Sequence, residues 1–198
     1  MLTIHFIGFF DYTVILTFLG CASSAVGIFL AVSGNVKAAV LCLIFSGICD
    51  LFDGAVARTK KGRTADEKNF GIQIDSLSDL VSFGVFPAVL LYFHGVDGAA
   101  GIILLAVFVL CALIRLAFFN VLEMNRQKSE DGCAKAYRGL PVTSTSIILP
   151  LFFACLYKAG GSFTRVFYFI LTAVIAFLFI LDFRVPKVDI GKLFKKKS

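Results

Sequence analysis

The chain has few polar side chains to present to water. Of its 198 residues, 59% are hydrophobic and only 16% are charged, whereas a soluble domain averages roughly 45–50% apolar residues. A water-soluble globule of this size could not cover its surface with so few polar groups. The composition therefore predicts an integral membrane protein, and the length is typical of a single domain over residues 1–198.

Histidine and cysteine patterns that bind metals are also missing. The two histidines, His5 and His94, are far apart in sequence, and the six cysteines form no CxxC motif. Zinc sites usually draw their ligands from these two residue types, so a zinc site is not predicted. We interpret the cysteines as small, buried, apolar residues in a reducing compartment.

Six apolar stretches are long enough to cross a bilayer as helices, which takes about 20 mainly apolar residues each. They are residues 12–32, 36–58, 71–93, 99–122, 142–159 and 163–182. The fold class expected is therefore an all-α bundle of six transmembrane helices. Residues 2–10 could form a short interfacial helix, and no cleavable signal peptide is predicted because the first residues lack a basic start.

Lysine and arginine concentrate in the loops after the second and fourth spans and in the C-terminal tail. The positive-inside rule then places these loops, and both termini, on the cytoplasmic face of the inner membrane. Much of the net charge of +6 lies on that face, where it would meet anionic lipid headgroups. Nucleic-acid binding is not expected, because the basic residues flank apolar spans.

Two pairs of aspartates interrupt this apolar pattern. Asp50 and Asp53 are three residues apart at the end of the second span, and Asp75 and Asp79 are four apart in the third. On an α-helix both spacings place the pair on one face. Four carboxylates beside apolar segments would repel one another and be costly to desolvate, so we expect cations to compensate them.

An all-carboxylate site is suited to hard divalent cations. Oxygen ligands favour Mg²⁺, Mn²⁺ or Ca²⁺ over zinc. Two metal ions held between the pairs could bind a diphosphate, stabilise charge on a leaving oxygen and orient an attacking group. The sequence therefore predicts a two-metal site at the cytoplasmic edge of the bilayer.

Small residues accompany the acids on the same helical faces. Gly54 and Ala57 follow Asp53 and leave room for a bulky ligand, and Arg58 lies one turn further, where it could pair with a phosphate. Gly71 precedes the second pair by one turn.

The loop between the two pairs contains a helix-start signal. Thr64 and Glu67 have the spacing of a capping box, which predicts that a helix starts near residue 65 and runs into the third span. Pro87, deeper in that span, is expected to kink it.

These residues match the signature of the CDP-alcohol phosphatidyltransferase family, which the chain therefore resembles. The pattern D-x2-D-G-x2-A-R, a spacer, and G-x3-D-x3-D is filled at all eight fixed positions. The twelve-residue spacer, residues 59–70, and the later RGLPVTSTS, residues 138–146, are similar to the phosphatidylserine synthase branch.

The resemblance implies a fold, a reaction and a set of site residues. The expected fold is a six-helix membrane bundle, usually a homodimer, with its site in a cytoplasm-facing cavity open to lipid. The expected reaction transfers the phosphatidyl group of CDP-diacylglycerol to the hydroxyl of L-serine and releases CMP. The implied ligands of the two metal ions are Asp50, Asp53, Asp75 and Asp79, with Asp79 also the general base. The implied CDP-site residues are Asp50, Asp53, Gly54, Ala57, Arg58 and Gly71.

Two arginines outside the motif are further candidates. Arg115 stands inside an apolar run, where a charged residue is often functional. It could bind the serine carboxylate or the lipid phosphate, or it could form a structural ion pair. Arg138, just before Gly139, is a second candidate with the same alternatives.

Two other functions remain open at this stage. The same chemistry could use another acceptor, such as glycerol phosphate or inositol phosphate, although such an acceptor should need a further basic cluster near the metals. A cation transporter could use the carboxylates as a pathway, but it should carry polar residues through the remaining spans, and the fifth and sixth spans have almost none.

Overall fold

The computed structural model describes residues 8–9, 11–57, 59–60, 62–128, 136–156 and 162–186. Most of these residues lie in helices, which confirms the predicted helical membrane fold. In chain order the elements are α1 (Ile15–Val32), α2 (Val36–Ala57), α3 (Ala65–Asp79), a π-helical segment (Leu80–Val85), α4 (Phe86–Phe93), α5 (Gly98–Lys128), β1 (Ala136–Arg138), α6 (Thr145–Leu156), α7 (Ser162–Ile180) and β2 (Arg184–Pro186).

Five helical spans in the described part of the chain are long and apolar enough to cross a membrane. They are Ile15–Val32, Val36–Ala57, Ala65–Phe93, Gly98–Asn125 and Phe163–Ile180. The described part of the predicted span 142–159 is an apolar helical segment, Val142–Leu156, with Pro150 inside it. The predicted interfacial helix over 2–10 lies almost wholly outside the described residues.

The third span changes its helical type just after the second aspartate pair. It is α-helical to Asp79, π-helical over Leu80–Val85 and α-helical again from Phe86. Pro87 has no amide hydrogen, and its ring crowds the carbonyl four residues earlier, so a regular α-helix cannot pass through it unchanged. Where the sequence predicted a kink, the structure has a wider, π-helical turn on the N-terminal side of Pro87.

Close helix packing depends on small residues in α1. A β-carbon on Gly27 would lie 2.9 Å from Cβ of Cys42 and would overlap the ring of Phe86, and one on Gly20 would lie 3.2 Å from Cβ of Cys49. Larger side chains at these positions would force α1 and α2 apart. Helices α1 and α2 therefore pack closely together, and the third span packs against them.

The outside of the bundle is strongly apolar. Large side chains such as Phe29, Leu41, Leu51, Phe163 and Phe177 are exposed. In a soluble protein such a surface would drive aggregation, whereas a lipid bilayer solvates it. The protein is therefore an integral membrane protein. The buried side chains that fill the interior include Leu43, Phe83, Phe86, Leu90, Leu91, Phe108, Leu149 and Phe179.

A short antiparallel ribbon, not predicted from the sequence, lies after the helices α5 and α7. Strands β1 and β2 pair Ala136 with Pro186 and Arg138 with Arg184. The turn after β1 adds a bond from the Gly139 amide to the Phe183 carbonyl, 2.6 Å long. This ribbon brings residue 139 against the end of α7, next to the site described below.

Candidate active site

The two aspartate pairs meet where α2 and α3 pack together. Carboxylate oxygens of Asp50, Asp75 and Asp79 all lie within 4.8 Å of one another. The Asp53 side chain is close enough to hydrogen-bond with Asp75, and Asp50 with Asp79. All four aspartates that the sequence singled out are thus brought together, although they come from two helices.

The start of α3 is fixed by the predicted capping box. The Thr64 hydroxyl accepts a bond from the Glu67 amide at 3.1 Å, and the Glu67 carboxylate accepts one from the Thr64 amide at 2.8 Å. These bonds satisfy two amides that a helix start otherwise leaves unpaired. They set where α3 begins, and the four-residue spacing of Asp75 and Asp79 then places both on one face of it.

Lys60 ties the N-terminal segment to the loop between α2 and α3. Its ammonium lies 2.7 Å from Asp11 Oδ2 and 3.0 Å from Glu67 Oε1. The hydrogen bond from Lys60, followed by that from Thr13, lowers the pKa of Asp11 from the usual 3.8 to about 2. The Tyr12 hydroxyl and Thr59 Oγ1, 3.2 Å apart, make a second contact between the same segments.

Hydroxyl groups of Thr17 in α1 and Ser78 in α3 lie next to the acidic cluster. The Thr17 hydroxyl donates to Asp53 Oδ2 at 3.1 Å, and the Ser78 hydroxyl donates to the Thr17 carbonyl at 3.3 Å. Deeper in the bundle, Ser24 Oγ lies 2.8 Å from Ser46 Oγ and 2.7 Å from Ser82 Oγ. These hydroxyl residues were not predicted from the sequence, where their one signal is the seven-residue spacing of Thr17 and Ser24, which places both on one face of α1.

A cavity of about 440 Å³ opens beside the first aspartate pair. Its walls include the predicted residues Gly54, Ala57 and Gly71 together with Asp53 and Asp75. A β-carbon on Gly71 would lie 2.7 Å from Arg63 Nη2, so the absence of a side chain there lets the arginine approach. Three basic residues that the sequence analysis did not select also line this cavity, namely Lys60, Arg63 and Lys68.

The cavity combines groups suited to an anion with groups suited to a cation. Small residues leave backbone accessible, and the three basic side chains share the walls with three carboxylates, from Asp53, Asp75 and Glu123. Arg63 is oriented by a bond from its Nη2 to the Glu67 carbonyl at 3.1 Å. Arg58, which the sequence placed in this pocket, lies outside the described residues.

A second cavity, of about 360 Å³, opens on the other side of the cluster. Asp75 lines both cavities, whereas Asp79 lines only this one. The Ser76 hydroxyl donates to Asn120 Oδ1 at 2.5 Å across its wall, linking α3 to α5. The remaining polar side chains on its walls are Arg115, Glu123 and Thr143.

Arg115, predicted from its charge inside an apolar span, is buried in the wall of the second cavity. Its Nη1 donates to the Phe179 carbonyl at 3.2 Å, and the guanidinium lies 4.6 Å from the centre of the Phe119 ring. Asp182 is near enough to act on it electrostatically. The position therefore serves a structural role as well as facing the cavity. Arg138 lies in β1, and its side chain is outside the described part of the structure.

The residues present fit divalent metal ions. Three carboxylates converge within bonding reach of one point, and a fourth adjoins them, which gives an all-oxygen set of donors. His94, the one described histidine, instead lies 4.3 Å from the Phe153 ring, centre to centre, and its Nδ1 is 2.8 Å from the Leu90 carbonyl.

Sequence comparison matches the chain to a known family. The family model described as CDP-alcohol phosphatidyltransferase matches residues 12–182. The chain belongs to the CDP-alcohol phosphatidyltransferase family. Members of this family use divalent cations, in agreement with the acidic cluster.

Several characterised relatives of this phosphatidyltransferase carry names that specify serine. Archaetidylserine synthase from Methanothermobacter thermautotrophicus is 32% identical over 176 residues, which cover 88% of this chain and 69% of the relative. CDP-diacylglycerol–serine O-phosphatidyltransferase from Saccharomyces cerevisiae is 41% identical over 104 residues, 52% of this chain and 36% of that protein. The Helicobacter pylori enzyme of the same name is 35% identical over 136 residues, 68% of this chain and 52% of its own length. No solved structure matches the chain significantly.

Proposed function

We propose that this phosphatidyltransferase transfers the phosphatidyl group of CDP-diacylglycerol to the hydroxyl of L-serine, giving phosphatidylserine and CMP. The observation that carries the proposal is the cluster of four aspartates, of which Asp53 and Asp75 line the first cavity and Asp75 and Asp79 line the second. The names of the relatives favour serine as the acceptor. The chain spans only 36–52% of two of these relatives, so the activity of the whole protein is part of the proposal.

The first cavity is the proposed site of the CDP moiety. Gly54, Ala57 and Gly71 let the nucleotide lie close to the backbone, and Arg63 and Lys68 offer positive charge to its phosphates. Asp53 lines this pocket from the end of α2, and Asp50 is proposed, by the signature, to act with it. Arg58, by the signature, would add a further cation.

The aspartates are the proposed metal ligands. Asp50, Asp53 and Asp75 would hold one ion, and Asp79 would help to hold a second. Mg²⁺ or Mn²⁺ is proposed, with Ca²⁺ also compatible with oxygen donors. When bound, two such ions neutralise diphosphate charge and stabilise the departing phosphate oxygen.

The chain's own residues would then complete the transfer. A serine hydroxyl is a poor nucleophile at neutral pH, so a positioned base must take its proton as attack proceeds. Asp79 lines the second cavity and is the proposed base. The serine oxygen forms a bond to the lipid-side phosphorus, the bond from that phosphorus to the CMP oxygen breaks, and the serine proton passes to Asp79.

The second cavity is the proposed acceptor site. Arg115 would offer its charge to the serine carboxylate or to the lipid phosphate, and Arg138 is proposed for the same group of contacts. Among the described side chains that line this cavity, Arg115 is the only cation. A phosphorylated acceptor would need more positive charge there, so glycerol phosphate and inositol phosphate are the weaker candidates.

The proposed setting is the inner membrane, with the carboxylates and both termini at the cytoplasmic face. That placement follows from the loop charges, and it lets a soluble acceptor meet a lipid substrate at the bilayer edge. We also propose one catalytic unit over residues 1–198, assembled as a homodimer.

An acceptor screen tests the proposed reaction. Purified protein in nanodiscs containing CDP-diacylglycerol and Mg²⁺ or Mn²⁺ should release CMP when L-serine is added. Glycerol phosphate and inositol phosphate, added at the same concentration, should release much less. Faster CMP release with either phosphorylated acceptor than with serine would overturn the assignment of the acceptor.

A further inference from the structure

We infer that Thr17, in α1 and outside the family signature, is a positioning residue that fixes Asp53 for metal binding. This inference rests on the proposed metal site. It begins with one contact, the bond of 3.1 Å from the Thr17 hydroxyl to Asp53 Oδ2. Both residues are buried, with exposed fractions of 7% for Thr17 and 8% for Asp53.

The direction of this hydrogen bond is set by the chemistry of the two groups. A carboxylate only accepts hydrogen bonds, and a hydroxyl has one hydrogen to donate. When Thr17 donates to Oδ2, it orients a carboxylate that also lies within hydrogen-bonding reach of Asp75. Threonine is also stiff at its first side-chain torsion in a helix, so its hydroxyl has few alternative directions. The bond therefore restricts the rotation of the Asp53 carboxylate.

Thr17 also contacts the second helix of the site. Its backbone carbonyl accepts a bond of 3.3 Å from the hydroxyl of Ser78, the residue just before Asp79. One residue of α1 thus joins Asp53 on α2 to the turn of α3 that carries Asp79. Thr17 therefore contacts both halves of the carboxylate cluster, and it also lines the first cavity.

Outer hydrogen-bond partners of metal ligands affect metal affinity measurably. Their removal typically weakens binding by about 10–100-fold, because the ligand must then be ordered by the metal itself. Thr17→Val keeps the shape of the side chain and removes only the hydroxyl. Thr17→Ser keeps the hydroxyl and removes only a methyl group.

The test is direct Mn²⁺ binding, measured by electron paramagnetic resonance on the full chain in nanodiscs without substrate. Thr17→Val should weaken Mn²⁺ binding by about tenfold or more, and Thr17→Ser should restore it. Thr172→Val is the matched control, since the buried Thr172 hydroxyl donates only within its own helix, to the Tyr168 carbonyl at 2.7 Å. Unchanged Mn²⁺ affinity in Thr17→Val would overturn the inference. If Thr17→Val does not fold, the smaller Thr17→Ala gives the same comparison.

A double variant separates this inference from the function on which it rests. Asp53→Asn should weaken Mn²⁺ binding, and adding Thr17→Val to it should cause little further loss, because Thr17 acts through Asp53. Weak binding in Asp53→Asn with normal binding in Thr17→Val would reject the role of Thr17 alone. Normal binding in Asp53→Asn would reject Asp53 as a ligand, and the role of Thr17 with it.

Discussion

Gly139 lies directly against the guanidinium of Arg115. A β-carbon at residue 139 would be 2.6 Å from Arg115 Nη1 and 2.7 Å from the Leu181 carbonyl oxygen. Gly139 also has a φ of +66°, a conformation that side chains disfavour. The turn after β1 therefore needs glycine for two reasons. Its backbone has a positive φ, and a side chain would displace Arg115 from the wall of the second cavity.

Gly139→Ala should displace Arg115 and weaken acceptor binding. If the guanidinium holds the serine carboxylate, the KM for serine should rise about tenfold or more, as expected for a lost charged hydrogen bond. The KM for CDP-diacylglycerol should change little. Steady-state kinetics with each substrate varied in turn measures both values.

Gly34→Ala is the matched control for backbone strain. Gly34 has a φ of +83°, but nothing lies within 4 Å of the position its β-carbon would take. It should therefore lose stability without a selective rise in the serine KM. An equal effect of the two variants on serine kinetics would show that strain, and not Arg115, is responsible.

Asp79→Asn should remove the proton acceptor while keeping the shape of the side chain. General-base assistance typically accelerates a reaction by about 10²–10⁴-fold, so kcat should fall by at least about 10²-fold. Binding of CDP-diacylglycerol should persist, because Asp50, Asp53 and Asp75 remain. Single-turnover rates and lipid-substrate affinity should be measured together, with the exposed Asp97→Asn as the control. Near-normal kcat would require another base, and complete loss of nucleotide binding would make Asp79 mainly a metal ligand.

The local parts of this site could be predicted from the sequence. Helical spacing alone paired Asp50 with Asp53 and Asp75 with Asp79, and the capping box gave the start of α3. These features depend on residues within one or two turns of each other. Antiparallel packing of two consecutive helices then brought the pairs together.

Contacts between distant residues could not be predicted in this way. Thr17 meets Asp53 across 36 residues, and Lys60 meets Asp11 across 49. The ribbon β1–β2 joins segments flanking α6 and α7, and neither three-residue strand is long enough to show a periodic pattern. The π-helical turn precedes Pro87, which disrupts regular α-helical hydrogen bonding. The presence of a proline does not determine whether a helix bends, ends or widens into a π-helical turn.

Asp11 should titrate at unusually low pH. Because Lys60 and Thr13 stabilise its charged form, its folded pKa is about 2, below the usual 3.8. Its contact with Lys60 is therefore fully present above about pH 4 and is lost as the pH falls through about 2. Carbon-13 NMR of the Asp11 carboxyl carbon in micelles should give a midpoint near 2. Lys60→Met should raise that midpoint, and an unchanged midpoint in this variant would contradict the role of Lys60.

The proposed topology can be tested by labelling single cysteines. Gly62, in the loop between α2 and α3, and Asp97, in the loop between α4 and α5, are both exposed. In a background without the native cysteines, an impermeant maleimide applied to intact cells should label Asp97→Cys but not Gly62→Cys. Both should react after the membrane is permeabilised. Labelling of Gly62→Cys in intact cells would place the carboxylates at the outer face of the membrane and contradict the proposed topology.

The most direct test of the central claim follows isotopically labelled serine into lipid. Purified protein, CDP-diacylglycerol and labelled L-serine should yield labelled phosphatidylserine and an equal amount of CMP when Mg²⁺ or Mn²⁺ is present. EDTA should abolish the transfer, added metal should restore it, and Asp75→Asn should remain inactive at saturating metal. Full transfer by rigorously metal-free protein, or no labelled phosphatidylserine under any metal condition, would contradict the account.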